Sequence, residues 1–199
     1  MHEYLRRDKA FPHLWCAGCG IGIAMGVLIR AIYKKKIDRD RIAMVSGIGC
    51  SSRMPIYLDF NTLHTTHGRA LAFATGIKFA RPELEVIVVT GDGDVAAIGG
   101  NHLIHACRRN LNMTVICINN NIYGMTGGQV SPTTPLGRRA TTAPYGSAST
   151  AFDLCKLAEA AGAPFVARGT TVNPATLERL LLKAFEKNGF SFIDVWSQC

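Results

Sequence analysis

Two runs of apolar, mostly β-branched residues constrain this chain more than any other feature: Val86-Ile87-Val88-Val89-Thr90 and Met113-Thr114-Val115-Ile116-Cys117-Ile118-Asn119. Neither alternates polar with apolar, so both faces of each need cover, which is the condition of a strand inside a parallel sheet. Between them, residues 99–110 read as a helix. The pattern repeats on either side. Residues 21–33 read as an apolar helix behind a Gly-rich turn, 41–46 as a short strand, and 68–80 as a helix stopped by Pro82. Farther along, 151–161 and 175–187 read as helices, and 164–168 and 191–196 as strands. Such alternation implies an α/β fold: a doubly wound, mostly parallel sheet with helices on both faces and right-handed crossovers. Residues 1–199 are expected to form one domain, with no internal repeat. The stretch 130–149, rich in Thr, Pro, Gly and Ser, reads as a long surface loop of the kind that is often functional.

Ligands of such sheets bind beyond the carboxyl ends of the strands. Three turns are expected on that edge. One is Gly47-Ile48-Gly49-Cys50-Ser51, another is Gly91-Asp92-Gly93-Asp94, and the third is Asn119-Asn120-Asn121-Ile122-Tyr123-Gly124. A carboxylate at one strand end and an amide oxygen at the next suit a shared hard cation, with diphosphate oxygens completing the shell of Mg²⁺. Glycines let backbone N–H groups approach a phosphate closely. Gly-Asp-Gly alone equally describes a tight turn with a helix N-cap.

Cys16-Ala17-Gly18-Cys19 sets two thiols around a turn, a spacing that suits a zinc site, a redox dithiol or an iron–sulfur cluster. Cys50 and Cys199 each follow a predicted strand, so all four thiols are expected at one sheet edge. Cys107, Cys117 and Cys155 fall within predicted elements and read as small core hydrophobes. Residues 1–9 are polar and charged, with no apolar run of a signal peptide. No stretch is long and apolar enough for a membrane span. Seven cysteines without a secretory signal fit free thiols in the cytoplasm.

The formal net charge is +8. Lys34-Lys35-Lys36 and Arg138-Arg139 read either as solvated surface or as attraction for an acidic partner. No aromatic-interleaved basic stripe suggests nucleic acid. Among the histidines expected to flank the site, His67 sits at a helix start, where anions bind. His64 flanks it without an assigned role, and His102 and His105 read as packed or hydrogen-bonded. Arg53 reads either as surface or as a fork for a substrate carboxylate.

Taken in order, Trp15-Cys16-Ala17-Gly18-Cys19-Gly20, Gly47-Ile48-Gly49-Cys50-Ser51, His67-Gly68-Arg69-Ala70, Gly91-Asp92-Gly93-Asp94, Asn119-Asn120-Asn121 and Tyr123-Gly124-Met125-Thr126-Gly127-Gly128-Gln129 resemble the thiamine-diphosphate-binding β subunits of 2-oxoacid:ferredoxin oxidoreductases over nearly the whole chain. The resemblance implies CoA-dependent oxidative decarboxylation of a 2-oxoacid, with electrons leaving through a [4Fe-4S] cluster to ferredoxin. Among substrates, 2-oxoglutarate is the first expectation; pyruvate and branched-chain 2-oxoacids stay open. It implies a metal held by Asp92, the Asn120 side chain (Asn119 being the neighbouring candidate) and the main-chain oxygen of Ile122. It implies cluster ligation by Cys16, Cys19, Cys50 and Cys199, and places His67 and Thr126 near the diphosphate. The chain stops at Cys199, where related β subunits continue, and reads as a possible carboxyl-terminal truncation. No segment offers the Glu that holds the aminopyrimidine ring of thiamine diphosphate, so an α subunit is expected to complete the site in a hetero-oligomer. Two other readings stand beside this one: a non-oxidative thiamine-dependent decarboxylase subunit, and a zinc or redox-dithiol protein.

Overall fold

The computed structural model describes residues 2–8 and 11–199; Met1, Lys9 and Ala10, from and just after the polar amino-terminal stretch read above, lie outside the described residues. Six parallel strands form the main sheet: β1 (Ile42–Ser46), β2 (Asn61–His64), β3 (Glu85–Gly91), β4 (Met113–Asn119), β7 (Phe165–Thr170) and β8 (Phe190–Trp196). Their spatial order is β2-β1-β3-β4-β8-β7. A small antiparallel pair, β5 (Ile122–Tyr123) with β6 (Gln129–Val130), closes a turn above β4.

The two apolar runs occupy adjacent central strands, as their composition requires. Ile87, Val89, Ile116 and Ile118 face one side, under α1 (Ile21–Lys35) and α5 (Pro174–Glu186). Val86, Val88, Val115 and Cys117 face the other, under α2 (Ala70–Ala80), α3 (Gly100–Arg109) and α4 (Leu154–Ala160). The sheet is thus covered on both sides, and the doubly wound expectation holds.

Local chemistry explains the helix ends. Asn173 caps α5 by accepting from the Thr176 N–H, with Pro174 in the first turn where its missing N–H costs nothing. Asp153 caps α4 through the N–H groups of Cys155 and Lys156. The same carboxylate pairs with Arg168 of β7, whose guanidinium also meets the buried Asp194 at 2.8 Å.

Four features depart from the sequence reading. The edge strand β2 and the 3₁₀ turn Ser51–Tyr57 were not expected; β2 is mostly exposed and carries no apolar run to mark it. Helix α3 is preceded by a wide π-type turn, Asp94–Ile98, separated from β3 by Asp92 and Gly93. The stretch 130–149 is irregular but is not simply surface, because Ser131, Thr133, Thr134 and Ser147 are buried. No helix among the described residues is long and apolar enough to cross a membrane.

Candidate active site

The chain runs from β1 to β2 on one side and then to β3 on the other, so β1 and β3 diverge at the point where an α/β sheet opens a crevice. A cleft of about 190 Å³ lies there. The first turn contributes Gly49, Cys50 and Ser51 to its walls. Gly91, Asp92, Gly93 and Asp94 come from the end of β3, and Asn120, Ile122, Tyr123, Gly124, Met125 and Thr126 from beyond β4. His67 joins them from the start of α2. Every residue expected near a diphosphate therefore lines one cleft.

Asp92 is buried at its floor. Its Oδ2 accepts hydrogen bonds from the Ser131 and Thr133 hydroxyls, each at 2.6 Å. Burial pushes its carboxyl above the usual carboxylate range, against the pull of those two donors. A carboxylate held in one orientation and short of solvation is suited to take up a cation. The amides behave differently from one another. Asn119 is buried behind the cleft, its Oδ1 accepting from the Asn121 main chain and side chain, with the Thr133 hydroxyl 3.1 Å away. Asn120 lines the cleft and its Oδ1 accepts only from the Ile122 N–H, at 3.2 Å. The neighbouring candidate is thus occupied elsewhere.

Asp94 lines the cleft and also holds its walls together. Its Oδ1 accepts from the N–H groups of Gly68 (2.7 Å) and Ile48 (3.2 Å) and meets His67 Nδ1 at 2.6 Å. Its Oδ2 accepts from the Thr90 hydroxyl at 2.7 Å. One buried carboxylate therefore fastens the turns after β1, β2 and β3 together. Gly47 permits this: a Cβ there would sit 2.0 Å from Asp94 Oδ2. With Nδ1 so engaged, Nε2 is the nitrogen His67 has free. His64, His102 and His105 do not line the cleft; His64 meets the Ser46 hydroxyl at 3.0 Å, His105 is exposed and His102 half-buried, so the expected packing of the α3 pair is at most partial. Thr126 lines the cleft, but its hydroxyl donates to Gln129 at 2.6 Å within its own turn. Arg53 lies outside the lining, half-buried on the turn that begins at Ser51.

Cys50 lines the cleft, and Cys19, Cys199 and Cys16 lie near it. Buried Trp15 donates its indole N–H to the Cys50 carbonyl at 2.7 Å and packs on Tyr57, which anchors the Cys16–Cys19 turn beside Cys50. The Gly20 N–H reaches the Gln198 carbonyl, drawing in the residue before Cys199. At Gly124, a Cβ would lie 3.2 Å from Cys199 Sγ and 3.9 Å from Cys50 Sγ. Burial raises the Cys50 thiol above its ordinary value, and nearby Cys19, Cys199 and Cys16 add to the rise. Among the described residues, no three or more His, Cys, Asp or Glu side chains close around a single ion-sized point. Cys107 and Cys117 are buried in the core and Cys155 is half-buried on α4, apart from this group.

Ser131 and Thr133, which hold Asp92, were missed by sequence reasoning, because a Ser-Pro-Thr-Thr run carries the signature of a turn and no sign of a distant partner. The role of Trp15 was likewise unread.

Comparison with known proteins agrees with this arrangement. The family model described as the thiamine pyrophosphate enzyme C-terminal TPP-binding domain matches residues 47–195. The chain is 62% identical over 197 residues to the 2-oxoglutarate synthase subunit KorB of Methanocaldococcus jannaschii, covering 99% of this chain and 73% of that one. It is 43% identical over 185 residues to the 2-oxoglutarate oxidoreductase subunit KorB of Mycobacterium tuberculosis, covering 93% of this chain and 50% of that protein. A solved 2-oxoglutarate:ferredoxin oxidoreductase from Magnetococcus marinus, with 2-oxoglutarate, coenzyme A and succinyl-CoA bound, is similar with a TM-score of 0.95 and 41% identity, over 99% of this chain and 67% of that one.

Proposed function

Since the chain belongs to the β subunits of the 2-oxoacid:ferredoxin oxidoreductases, within the thiamine pyrophosphate enzyme family, we propose that it is the diphosphate-binding half of a CoA-dependent 2-oxoglutarate:ferredoxin oxidoreductase. The observation that carries the reading is the convergence of Asp92 and Asn120, from neighbouring parallel strand ends, on one cleft edged by Cys50. The oxygen donors fit a magnesium diphosphate, and the thiols fit an iron–sulfur cluster.

In this proposal Asp92, the Asn120 side chain and the main-chain oxygen of Ile122 hold Mg²⁺, while Cys16, Cys19, Cys50 and Cys199 hold a [4Fe-4S] cluster. Bound there, thiamine diphosphate supplies the carbanion chemistry, and the cluster supplies one-electron steps toward ferredoxin. The chain's own groups hold and orient. Ser131 and Thr133 fix the Asp92 carboxylate, so that no reorientation accompanies cation binding. Asp94 holds the His67 ring, whose Nε2 is then offered to a diphosphate oxygen. Among the described residues Arg53 forms no ion pair with a carboxylate, and it is proposed to receive a carboxylate of the substrate. Among the described residues no Glu lines the cleft to hold the aminopyrimidine ring. An α subunit is therefore proposed to provide that half, in a cytoplasmic hetero-oligomer.

The test is metal and cofactor content of the anaerobically purified complex, with visible and electron paramagnetic resonance spectra. Iron and thiamine diphosphate together, with CoA-dependent oxidation of 2-oxoglutarate, are expected. Thiamine diphosphate without iron would make this a non-oxidative decarboxylase subunit, and zinc without thiamine would overturn the reading.

A further inference from the structure

Gly124, Gly127 and Gly128 stand together in the turn that follows β5. Positive φ angles of 111° and 91° make glycine a backbone requirement at Gly127 and Gly128. The φ of Gly124 is not positive. What that position uses is therefore the missing side chain. A Cβ there would lie 3.2 Å from Cys199 Sγ, 3.7 Å from Asn120 Nδ2 and 3.9 Å from Cys50 Sγ. One empty point thus sits between two of the thiols proposed as cluster ligands and the amide proposed to hold magnesium.

The same residue is shared by two cavities. Gly124 lines the cofactor cleft, and with Asn120 and Ile122 it also lines a second cavity of about 530 Å³ that reaches Cys199. The turn 120–124 is the wall between them, and Gly124 is its one residue without a side chain. The wall is held from several directions. The Tyr123 hydroxyl donates to the Gly93 carbonyl at 3.2 Å, the Ile122 N–H donates to Asn120 Oδ1, and β5 is paired with β6. The thiols beyond it are held as well. The Ser197 N–H donates to the Asn119 carbonyl at 2.9 Å, which ties the segment carrying Cys199 to the end of β4, and Trp15 fastens Cys50 by its carbonyl. In packing this tight a side chain at 124 would go into the gap and press on Cys199.

An electron passing between two bound groups tunnels, and its rate falls exponentially with the gap. A backbone without a side chain is the thinnest partition a chain can build. Oxidative decarboxylation of a 2-oxoacid breaks the bond to the carboxylate and releases CO₂. The acyl carbon goes to the CoA sulfur, which loses its proton, and two electrons are left over. A cluster and a ferredoxin each accept them singly.

We propose that Gly124 is a positioning residue for this electron transfer: its missing side chain keeps the partition between the cofactor cleft and the thiols of Cys50 and Cys199 one backbone thick, and each electron crosses there. Each crossing reduces the cluster by one electron, and one ferredoxin reoxidises it before the next. This role rests on the reading of this chain as the half that carries both thiamine diphosphate and the cluster.

The test compares Gly124→Ala and Gly124→Val in the anaerobically purified complex; the backbone at 124 admits both. Iron and thiamine diphosphate contents are measured first. The electron paramagnetic resonance spectrum of the dithionite-reduced cluster follows, and then the rate at which 2-oxoglutarate reduces the cluster in stopped flow. Both variants are expected to keep iron and thiamine diphosphate. The dithionite-reduced spectrum is expected to shift stepwise from the parent to the alanine and then the valine variant, as added carbons press on Cys199. Reduction by 2-oxoglutarate is expected to slow in the same order, by about 10–100-fold with valine, the scale of a misplacement near about 1 Å. Parent spectra and parent rates in both variants would overturn the proposal. So would loss of iron or cofactor with the remaining loaded sites reduced at the parent rate, the mark of a packing role alone. If the valine variant does not load, the alanine variant decides by the same two readouts. A parent complex without iron or thiamine diphosphate overturns the functional reading and this role with it; a fully loaded parent with unaffected variants overturns this role alone.

Discussion

The hydroxyl of Ser131 donates to Asp92 Oδ2 across 2.6 Å, linking the irregular stretch after β6 to the floor of the cleft at the end of β3. Thr133 makes the same bond to the same oxygen, and its hydroxyl lies 3.1 Å from Asn119 Oδ1. The loop thus acts on the site from behind, by fixing groups that face the ligand.

Removing these supports leaves the fold and weakens the site. Ser131→Ala with Thr133→Val is expected to lower magnesium and thiamine diphosphate affinity by about 10–100-fold, the usual scale for groups that orient a metal ligand. Titration calorimetry of the complex reads this directly. Unchanged affinity would show that the two hydroxyls serve folding alone.

Replacing the carboxylate itself has a larger consequence. Asp92→Ala is expected to abolish magnesium-dependent binding of thiamine diphosphate while the far-ultraviolet circular dichroism stays as in the parent. Asn119→Ala, which leaves the cleft lining intact, is expected to cost stability first and cofactor affinity second. A variant at Asn119 that loses cofactor more completely than Asn120→Ala would reverse the assignment of the two amides.

The thiols divide into two groups that substitution separates. Cys16→Ser, Cys50→Ser or Cys199→Ser is expected to remove most of the iron and the visible absorption of the anaerobic complex. Cys107→Ser is expected to keep the iron but lower the melting temperature, since it puts a hydroxyl in the core at a site with 0% exposure. Equal iron loss in both groups would point to general unfolding and remove the distinction.

Asp94 accepts from four groups, so its loss strands several buried donors. Asp94→Ala is expected to destabilise the chain by about 2–3 kcal/mol or more, as for hydrogen bonds to a charged group. Denaturant unfolding measures it, and a cost below about 0.5 kcal/mol, the range of ordinary surface changes, would refute the hub.

A pH effect is expected on the opposite face. The Arg168 hydrogen bond holds the Asp153 carboxyl below the usual carboxylate range. A depressed acid contributes stability above the unfolded value of roughly 4 and loses it as pH falls through the lower folded value. Asp153→Asn keeps a competent helix cap and removes the charge. It is expected to destabilise the chain by up to about 1 kcal/mol at neutral pH, given the partial exposure, and by nothing in strong acid. A constant difference at all pH values would mean that charge is not the cause.

Much of this was legible in the residues. Continuous apolar runs announced β3 and β4, because strands covered on both faces have no polar side to interrupt them. The turns after them carried Asp92 and Asn120 at positions the topology then brings side by side. What sequence could not show was bonding across the fold. Asp94 reads as part of a phosphate turn because it stands next to Gly93, and nothing local shows that it also takes partners from the turns after β1 and β2. Ser131 and Thr133 looked like loop residues because Ser and Thr favour turns for local reasons, which conceals a distant acceptor. Strand β2 escaped because an exposed edge strand needs no apolar face.

The order of the sheet has a bearing on how such a protein matures in the cell. Cys16, Cys19, Cys50 and Cys199 belong to segments far apart along the chain, and Cys199 takes its place only when β8 pairs with β4. Long-range parallel pairing of that kind forms slowly. A nascent chain that has emerged from the ribosome through β4 alone therefore displays three thiols without the fourth. If these thiols hold the cluster proposed for them, iron delivery would follow completion of the sheet, and a cell's assembly machinery would meet a finished fold rather than an unfolded sulfur-rich chain.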